Sequence, residues 1–200
     1  MKCPAPLTRL AQERVAAVVR PGDLVVDATV GNGHDTLFLA RLVGPDGKVV
    51  GFDVQPRALL ATRERLHAAG QESPVTLVAA GHERMADHLD VSRHGLLQAA
   101  MFNLGYLPGS DKTVTTGAGN TIKALETAWR ALAPGGLLSV LCYRGHPGGL
   151  HEYEAVRTWA AQLPAATAQV ETVESPGPVL VLVKRLTAAR EDAGSVADAP

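Results

Sequence analysis

The chain has only two cysteines in 200 residues, Cys3 and Cys142, and they stand far apart. Two distant cysteines make neither a disulfide framework nor a zinc site, so both read as free thiols in a reducing cytoplasm. Aromatic residues are scarce at 4%, which leaves the core to Ala, Val and Leu. Net charge is nearly absent: 19 basic against 20 acidic residues give −1. No global positive field therefore announces a nucleic-acid partner. A local basic patch stays open, because 14 of the 19 basic residues are Arg, and Arg suits bidentate phosphate contacts. Recurring charges break up the first twenty residues, so they lack the apolar centre of a signal peptide. No run approaches the roughly 18–20 apolar residues of a membrane span. No membrane partner and no metal are expected.

What is present reads as one ordinary globular domain, with 46% hydrophobic and 20% charged residues. Leu7, Leu10, Ala11, Val15, Val18 and Val19 recur at helical spacing, which predicts a helix over 7–20, stopped by Pro21-Gly22. Short apolar runs at 23–28, 48–53, 75–80, 96–104 and 137–143 read as strands. Helices over about 35–43, 56–70, 83–89, 119–133 and 150–163 alternate with them, the fourth ending at Pro134-Gly135-Gly136. Two late strands, about 167–174 and 178–185, are joined only by Glu174 to Gly177. So short a link demands an antiparallel hairpin, since a parallel pair needs a crossover of about a dozen residues. The expected fold class is α/β: a doubly wound, mostly parallel seven-stranded sheet with a terminal antiparallel hairpin. One domain over 1–187 is expected, with 188–200 as a disordered tail poor in periodicity.

In such a sheet, ligands bind beyond the carboxyl ends of the strands. The unusual residues of the chain cluster in those loops. The first loop holds Asp27, Thr29, Gly31, Asn32, Gly33, Asp35 and Thr36. Gly31 and Gly33 allow a tight turn and close approach of backbone to a ligand. A lone GxG also suits plain turn chemistry. Asp53 ends the second strand 20 residues past Gly33, where a carboxylate can hold the two hydroxyls of a ribose; the rival reading is a solvated strand-end Asp. A dinucleotide fingerprint wants Gly or Ala where Thr36 stands. Asp27 and Asp35 would repel a diphosphate, whereas a sulfonium and an ammonium welcome carboxylates. Charge thus favours S-adenosylmethionine over NAD.

The fourth strand ends in Asn103, followed by Leu104, Gly105, Tyr106, Leu107 and Pro108. A buried Asn with a backbone carbonyl can accept hydrogen bonds from an amine and aim its lone pair at a methyl group. Tyr106 offers a ring face for a base; an Asn turn followed by a packed Tyr is the alternative. Asn-x-x-Tyr resembles the Asn-Pro-Pro-Tyr signature of amino-group methyltransferases, with Leu104 and Gly105 in place of the prolines. Arg144 and His146, in a glycine-rich loop, can contact phosphate or move a proton, or be exposed polar residues at a helix entry. His82, with Gly81, follows the third strand where an adenine edge would lie. His67, His88, His94 and His151 read as surface residues, and Trp129 and Trp159 as core.

Taken together, the segments 27–36, 51–55, 102–108 with Asp111 and Lys112, and 145–149 resemble the YtqB/MnmM family, whose older label is "putative rRNA methylase". The resemblance runs from about residue 7 to about residue 185. It implies a class I methyltransferase fold and S-adenosylmethionine as donor. It also implies a tRNA substrate, in which the 5-aminomethyl group of the wobble uridine, often 2-thiolated, becomes 5-methylaminomethyl. By this resemblance Asn32, Asp35, Asp53, Gln55 and His82 bind the cofactor, with Gly81 beside them, and Asn103 and Tyr106 stand at the methyl-transfer site. Gly81 departs from the family, which more often has Ser before that histidine. The expected cofactor site is therefore Asp27, Thr29, Gly31, Asn32, Gly33, Asp35, Thr36, Asp53, Gln55, Gly81 and His82. The expected catalytic residues are Asn103, Tyr106 and His146. The expected partners are a tRNA anticodon stem-loop and a second copy of the chain as a homodimer. Methylation of ribosomal RNA or of a small amine, and a non-catalytic binding module, are the alternatives.

Overall fold

The computed structural model describes residues 6–90, 96–105 and 116–187. Tyr106, Lys112, Cys3, His94 and the expected tail at 188–200 lie outside them. Seven strands form one sheet in the order β3-β2-β1-β4-β5-β7-β6. They are β1 (Leu24–Asp27), β2 (Lys48–Asp53), β3 (Val75–Ala79), β4 (Leu97–Leu104), β5 (Leu132–Cys142), β6 (Ala168–Glu174) and β7 (Val179–Arg185). Pairing is parallel from β3 through β5. β7 enters antiparallel to both β5 and β6; the short link requires this of the β6–β7 pair.

The helices are α1 (Leu7–Ala16), α2 (His34–Val43), α3 (Pro56–Ala68), α4 (Ala118–Ala131) and α5 (Gly149–Ala161), with a 3-10 turn at His82–Asp87. They cover both faces. Val15 of α1, Leu39 of α2 and Leu66 of α3 pack with Val25, Val49 and Leu141 on one side. Leu125 of α4 and Val156 and Trp159 of α5 pack with Val26, Phe52 and Phe102 on the other. Central strands buried on both faces carry unbroken apolar runs, and all four residues of β1 are buried.

Two elements differ from their sequence pattern. α1 stops at Ala16, although Val19 is buried like the helical residues before it. Pro21 pushes Arg20 away from helical geometry, and the Arg20 guanidinium takes up Val19 O and Ala17 O at 2.9 and 3.2 Å. β5 begins at Leu132, five residues early. Pro134-Gly135-Gly136 is a bulge inside it rather than a stop before it: the register passes from Leu97–Leu132 to Ala99–Leu137. Proline is tolerated at such an irregularity. Gly135 takes φ +83°, and a Cβ on Gly136 would sit 2.9 Å from Gln98 O.

Cys142 is a free, buried thiol. Burial pushes its pKa up to about 12, so it stays protonated and unreactive. Among the described residues no helix is long and apolar enough to cross a membrane.

Candidate active site

Strand order reverses between β1 and β4, and a ligand crevice is expected outside the carboxyl ends at that point. A cavity of about 840 Å³ opens there. Thr29, Gly31, Asn32 and Asp35 line it from the first loop. Asp53 and Gln55 line it from the end of β2, Gly81 and His82 from the end of β3, Asn103 from β4 and His146 from the loop after β5. Five separate loops thus supply one wall, because parallel strands put all their carboxyl ends on one side.

The first loop is held by its backbone. Gly31 N donates to Asp53 Oδ2 at 2.9 Å, and Gln55 N donates to Asp53 Oδ1 at 2.8 Å. Thr62 Oγ1 donates to Gly31 O at 3.2 Å, and Arg65 Nε to Asn32 O at 2.7 Å. Asp53 keeps a lone pair on each oxygen for a diol. The Asn32 side chain is exposed into the cavity mouth.

Asp27, Gly33 and Thr36, expected as cofactor contacts, do not line the cavity. They build the floor beneath the loop. Asp27 is fully buried, accepting from Thr36 Oγ1 at 2.6 Å and from Thr29 N at 3.2 Å. Burial first, then the charge of Asp35, raises its pKa from 3.8 to about 7. Its charge is thus hidden and partly neutralised, and the electrostatic preference for a cationic ligand falls to Asp35 and Asp53. The carboxyl titrates higher folded than unfolded, so the fold is favoured below about pH 3.8 and loses that advantage as pH rises through about 7. The rise costs on the order of 4 kcal/mol at full ionisation. Asp27→Asn is therefore expected to flatten the decline of stability between about pH 4 and pH 7, as read by urea midpoints. An unchanged slope would show that other groups set it.

His82 is buried, with Nδ1 at 3.2 Å from Ala28 O and its ring edge-on to Phe102. A carbonyl only accepts, so Nδ1 carries the proton. Nε2 faces the Thr121 hydroxyl at 3.4 Å, which itself donates to the buried Glu152. Burial lowers the His82 pKa, keeping the ring neutral. Beside it, a Cβ on Gly81 would run into the Glu83 carboxylate. The Glu83 carboxylate is the mobile end of a part-exposed side chain, so a serine here would need only that it swing aside.

The amide of Asn103 stands at the end of β4. Its N–H donates to Thr29 Oγ1 at 2.7 Å, and its Nδ2 donates to Asp35 Oδ2 at 2.7 Å. His146 Nδ1 lies 3.0 Å from Pro147 O, so that nitrogen holds the proton and Nε2 is the basic one. Arg144 is not placed for phosphate. Its guanidinium donates to Ser175 O at 2.8 Å and Gly177 O at 3.2 Å, and sits over the Tyr153 ring. It ties the β6–β7 link to the site.

Sequence reasoning missed Gln12 and Thr8 of α1, which line the cavity together with Glu83 and Tyr143 from the strand-end loops. Tyr143 is 40% exposed, and burial, followed by the charge of Asp35, raises its pKa. A strand-end aromatic after a buried run was the available signal. Nothing local marked Gln12.

The model of the family "Putative rRNA methylase" matches residues 49–177. The chain belongs to that family. A solved structure of this kind, "putative rRNA-methylase" from Clostridium thermocellum, is 34% identical, with TM-score 0.86 over 93% of this chain and all of that one. A "putative methyltransferase" from Streptococcus mutans in complex with SAH is 31% identical, with TM-score 0.81 over 93% of this chain and 99% of that one. The fold is thus that of class I methyltransferases. Arabidopsis thaliana "tRNA (mnm(5)s(2)U34)-methyltransferase, chloroplastic" is 38% identical over 157 residues, 74% of this chain and 57% of that protein. The chain therefore spans a little over half the length of that relative. Among the described residues no group of three or more His, Cys, Asp or Glu is gathered to hold a metal.

Proposed function

We propose that the chain is an S-adenosylmethionine-dependent methyltransferase acting on the 5-aminomethyl group of the wobble uridine of tRNA. One observation carries the reading: Asn103, an amide at a strand end, shares a cavity wall with Asp53, Gln55 and His82. The Arabidopsis relative's name supports the tRNA target. A cytoplasmic setting and a homodimer belong to the same proposal, and sedimentation equilibrium decides the second.

The residues fit the donor. Asp53 offers lone pairs to a ribose diol, neutral His82 packs against an adenine edge, and Asp35 adds negative charge beside a sulfonium and an ammonium. When bound, S-adenosylmethionine supplies an electrophilic methyl, so the amine forms its N–C bond as the C–S bond breaks and the sulfonium becomes a thioether. The amine must arrive neutral, because a protonated one has no lone pair, and alkylamines are mostly protonated near neutral pH. Asn103 accepts an amine hydrogen and turns the lone pair toward the methyl. Water, or His146 on the cavity wall, takes the proton that the methylated ammonium sheds. Tyr143 offers a ring face for the splayed base.

Asp53→Ala is expected to weaken cofactor binding by about 1.5–3 kcal/mol, the usual worth of hydrogen bonds to a charged group. Unchanged calorimetric affinity in a folded variant would remove Asp53 from the site. The function itself is tested on three RNAs: an anticodon stem-loop with aminomethyl uridine, the unmodified stem-loop and ribosomal RNA. Only the first is expected to gain methyl groups, faster as pH rises. Methylation of ribosomal RNA alone overturns the tRNA target and leaves the methyltransferase reading standing.

A further inference from the structure

We propose that Asp35 and Gln12 are positioning residues for the transferred amine: they lock the Asn103 amide with its oxygen, and not its NH2, facing the cavity. The inference rests on the reading of Asn103 as the amine's acceptor.

An Asn side chain is nearly symmetric in shape and opposite in chemistry at its two ends. Turned one way it offers Oδ1, which accepts an amine hydrogen and leaves the nitrogen lone pair free to attack. Turned the other way it offers Nδ2, which donates to that same lone pair and blocks attack. Orientation of this one amide therefore decides whether the strand end helps or inhibits.

Asp35, in the first turn of α2, settles it. Its carboxylate only accepts hydrogen bonds, and Oδ2 lies 2.7 Å from Asn103 Nδ2. A flipped amide would press Oδ1 against a carboxylate oxygen, two acceptors with no proton between them. The charge also polarises the amide and makes Oδ1 a stronger acceptor. A carboxylate can itself rotate. Gln12 Nε2 donates to Asp35 Oδ1 at 2.7 Å, so each oxygen has its own donor and the plane is fixed. Thr29 Oγ1 holds the Asn103 main chain at 2.7 Å. α1, α2 and the first loop thus fix one side chain on β4, and both Gln12 and Asp35 line the cavity where that side chain works.

The test uses Asp35→Asn, Gln12→Ala and the exchange Asp35→Asn with Asn103→Asp. In Asp35→Asn the residue at 35 can turn its own NH2 toward Asn103 Oδ1 and stabilise the wrong orientation. kcat on the aminomethyl stem-loop, measured at saturating S-adenosylmethionine, is expected to fall on the order of 100-fold, while calorimetric affinity for S-adenosylmethionine, which also loses the Asp35 charge, falls by about tenfold or less. Gln12→Ala is expected to cost about fivefold in kcat. The exchange keeps every bond with the charge moved by one residue: Gln12 donates to the residue at 35, which donates to the carboxylate at 103, whose second oxygen accepts the amine. It is expected to recover at least about tenfold of the lost kcat. Its unfolding midpoint should also return toward that of the wild type, a readout independent of activity. If cofactor affinity falls as far as kcat and the exchange recovers nothing, Asp35 acts on the cofactor alone and the inference is overturned. An Asp35→Asn protein as active as wild type also overturns it, with the proposed function intact. A wild type that methylates no amine-bearing RNA overturns the proposed function first and this inference with it.

Discussion

Asn103→Ala is expected to lower turnover on an aminomethyl stem-loop by roughly 100- to 1000-fold, the size seen when one preorganised polar group is removed from a reacting centre. Cofactor affinity should change far less, because the amide is aimed at the incoming amine and its Nδ2 is engaged by Asp35 at 2.7 Å. The backbone N–H that binds Thr29 Oγ1 survives the substitution, so the strand end keeps its place. Alanine removes the acceptor and leaves Asp35 with only its Gln12 bond among the described residues. Single-turnover rates and calorimetry, measured on the same preparation, separate the two effects. Turnover within a few-fold of wild type would end the amine-aiming role of Asn103.

Gly33→Ala is expected to destabilise the fold by about 2–4 kcal/mol, from two separate physical effects. Gly33 takes φ +75°, a left-handed geometry that an L-residue with a Cβ resists. Its Cβ would also lie 2.5 to 2.9 Å from three atoms of Thr62. Thr62 is buried and holds Gly31 O, so it cannot retreat without releasing the loop. Strain and overpacking therefore add, and both distort the segment that presents Asn32 to the cavity. Denaturant midpoints check the stability term. Gly22→Ala, also at positive φ but with nothing within 4 Å, isolates the strain and should cost about 1–2 kcal/mol. Equal losses at the two positions would show that the Thr62 contact relaxes freely.

The sequence by itself determined the alternation of strands and helices, the antiparallel final pair and the set of loops that carry the chemistry. The loops are shown as a cavity wall, and all three features follow from short-range physics. Apolar runs such as Val49–Phe52 form strands, Pro21-Gly22 ends a segment, and a link as short as Ser175–Pro178 can join only antiparallel neighbours. Parallel strands then bring their carboxyl ends together, which is why Asp53, Gln55, His82 and Asn103 could be named together before their distances were known. The bulge in β5 was not legible, because Pro134-Gly135-Gly136 stops a helix and interrupts a strand with the same residues.

Only the tertiary structure decided what each polar group does. Asp27 and Asp35 look alike in the linear loop. One is sealed under it against Thr36, while the other faces the cavity between Gln12 and Asn103, 23 and 68 residues away. Arg144 resembles a phosphate ligand until the hairpin link, 31 residues on, is seen to occupy its guanidinium. Local pattern sets backbone geometry. The role of a charged or amide side chain depends on which partner the fold places within about 3 Å, because hydrogen bonds and desolvation act only at that range. Partners that far apart in sequence leave no periodic trace for a reader of the chain to find.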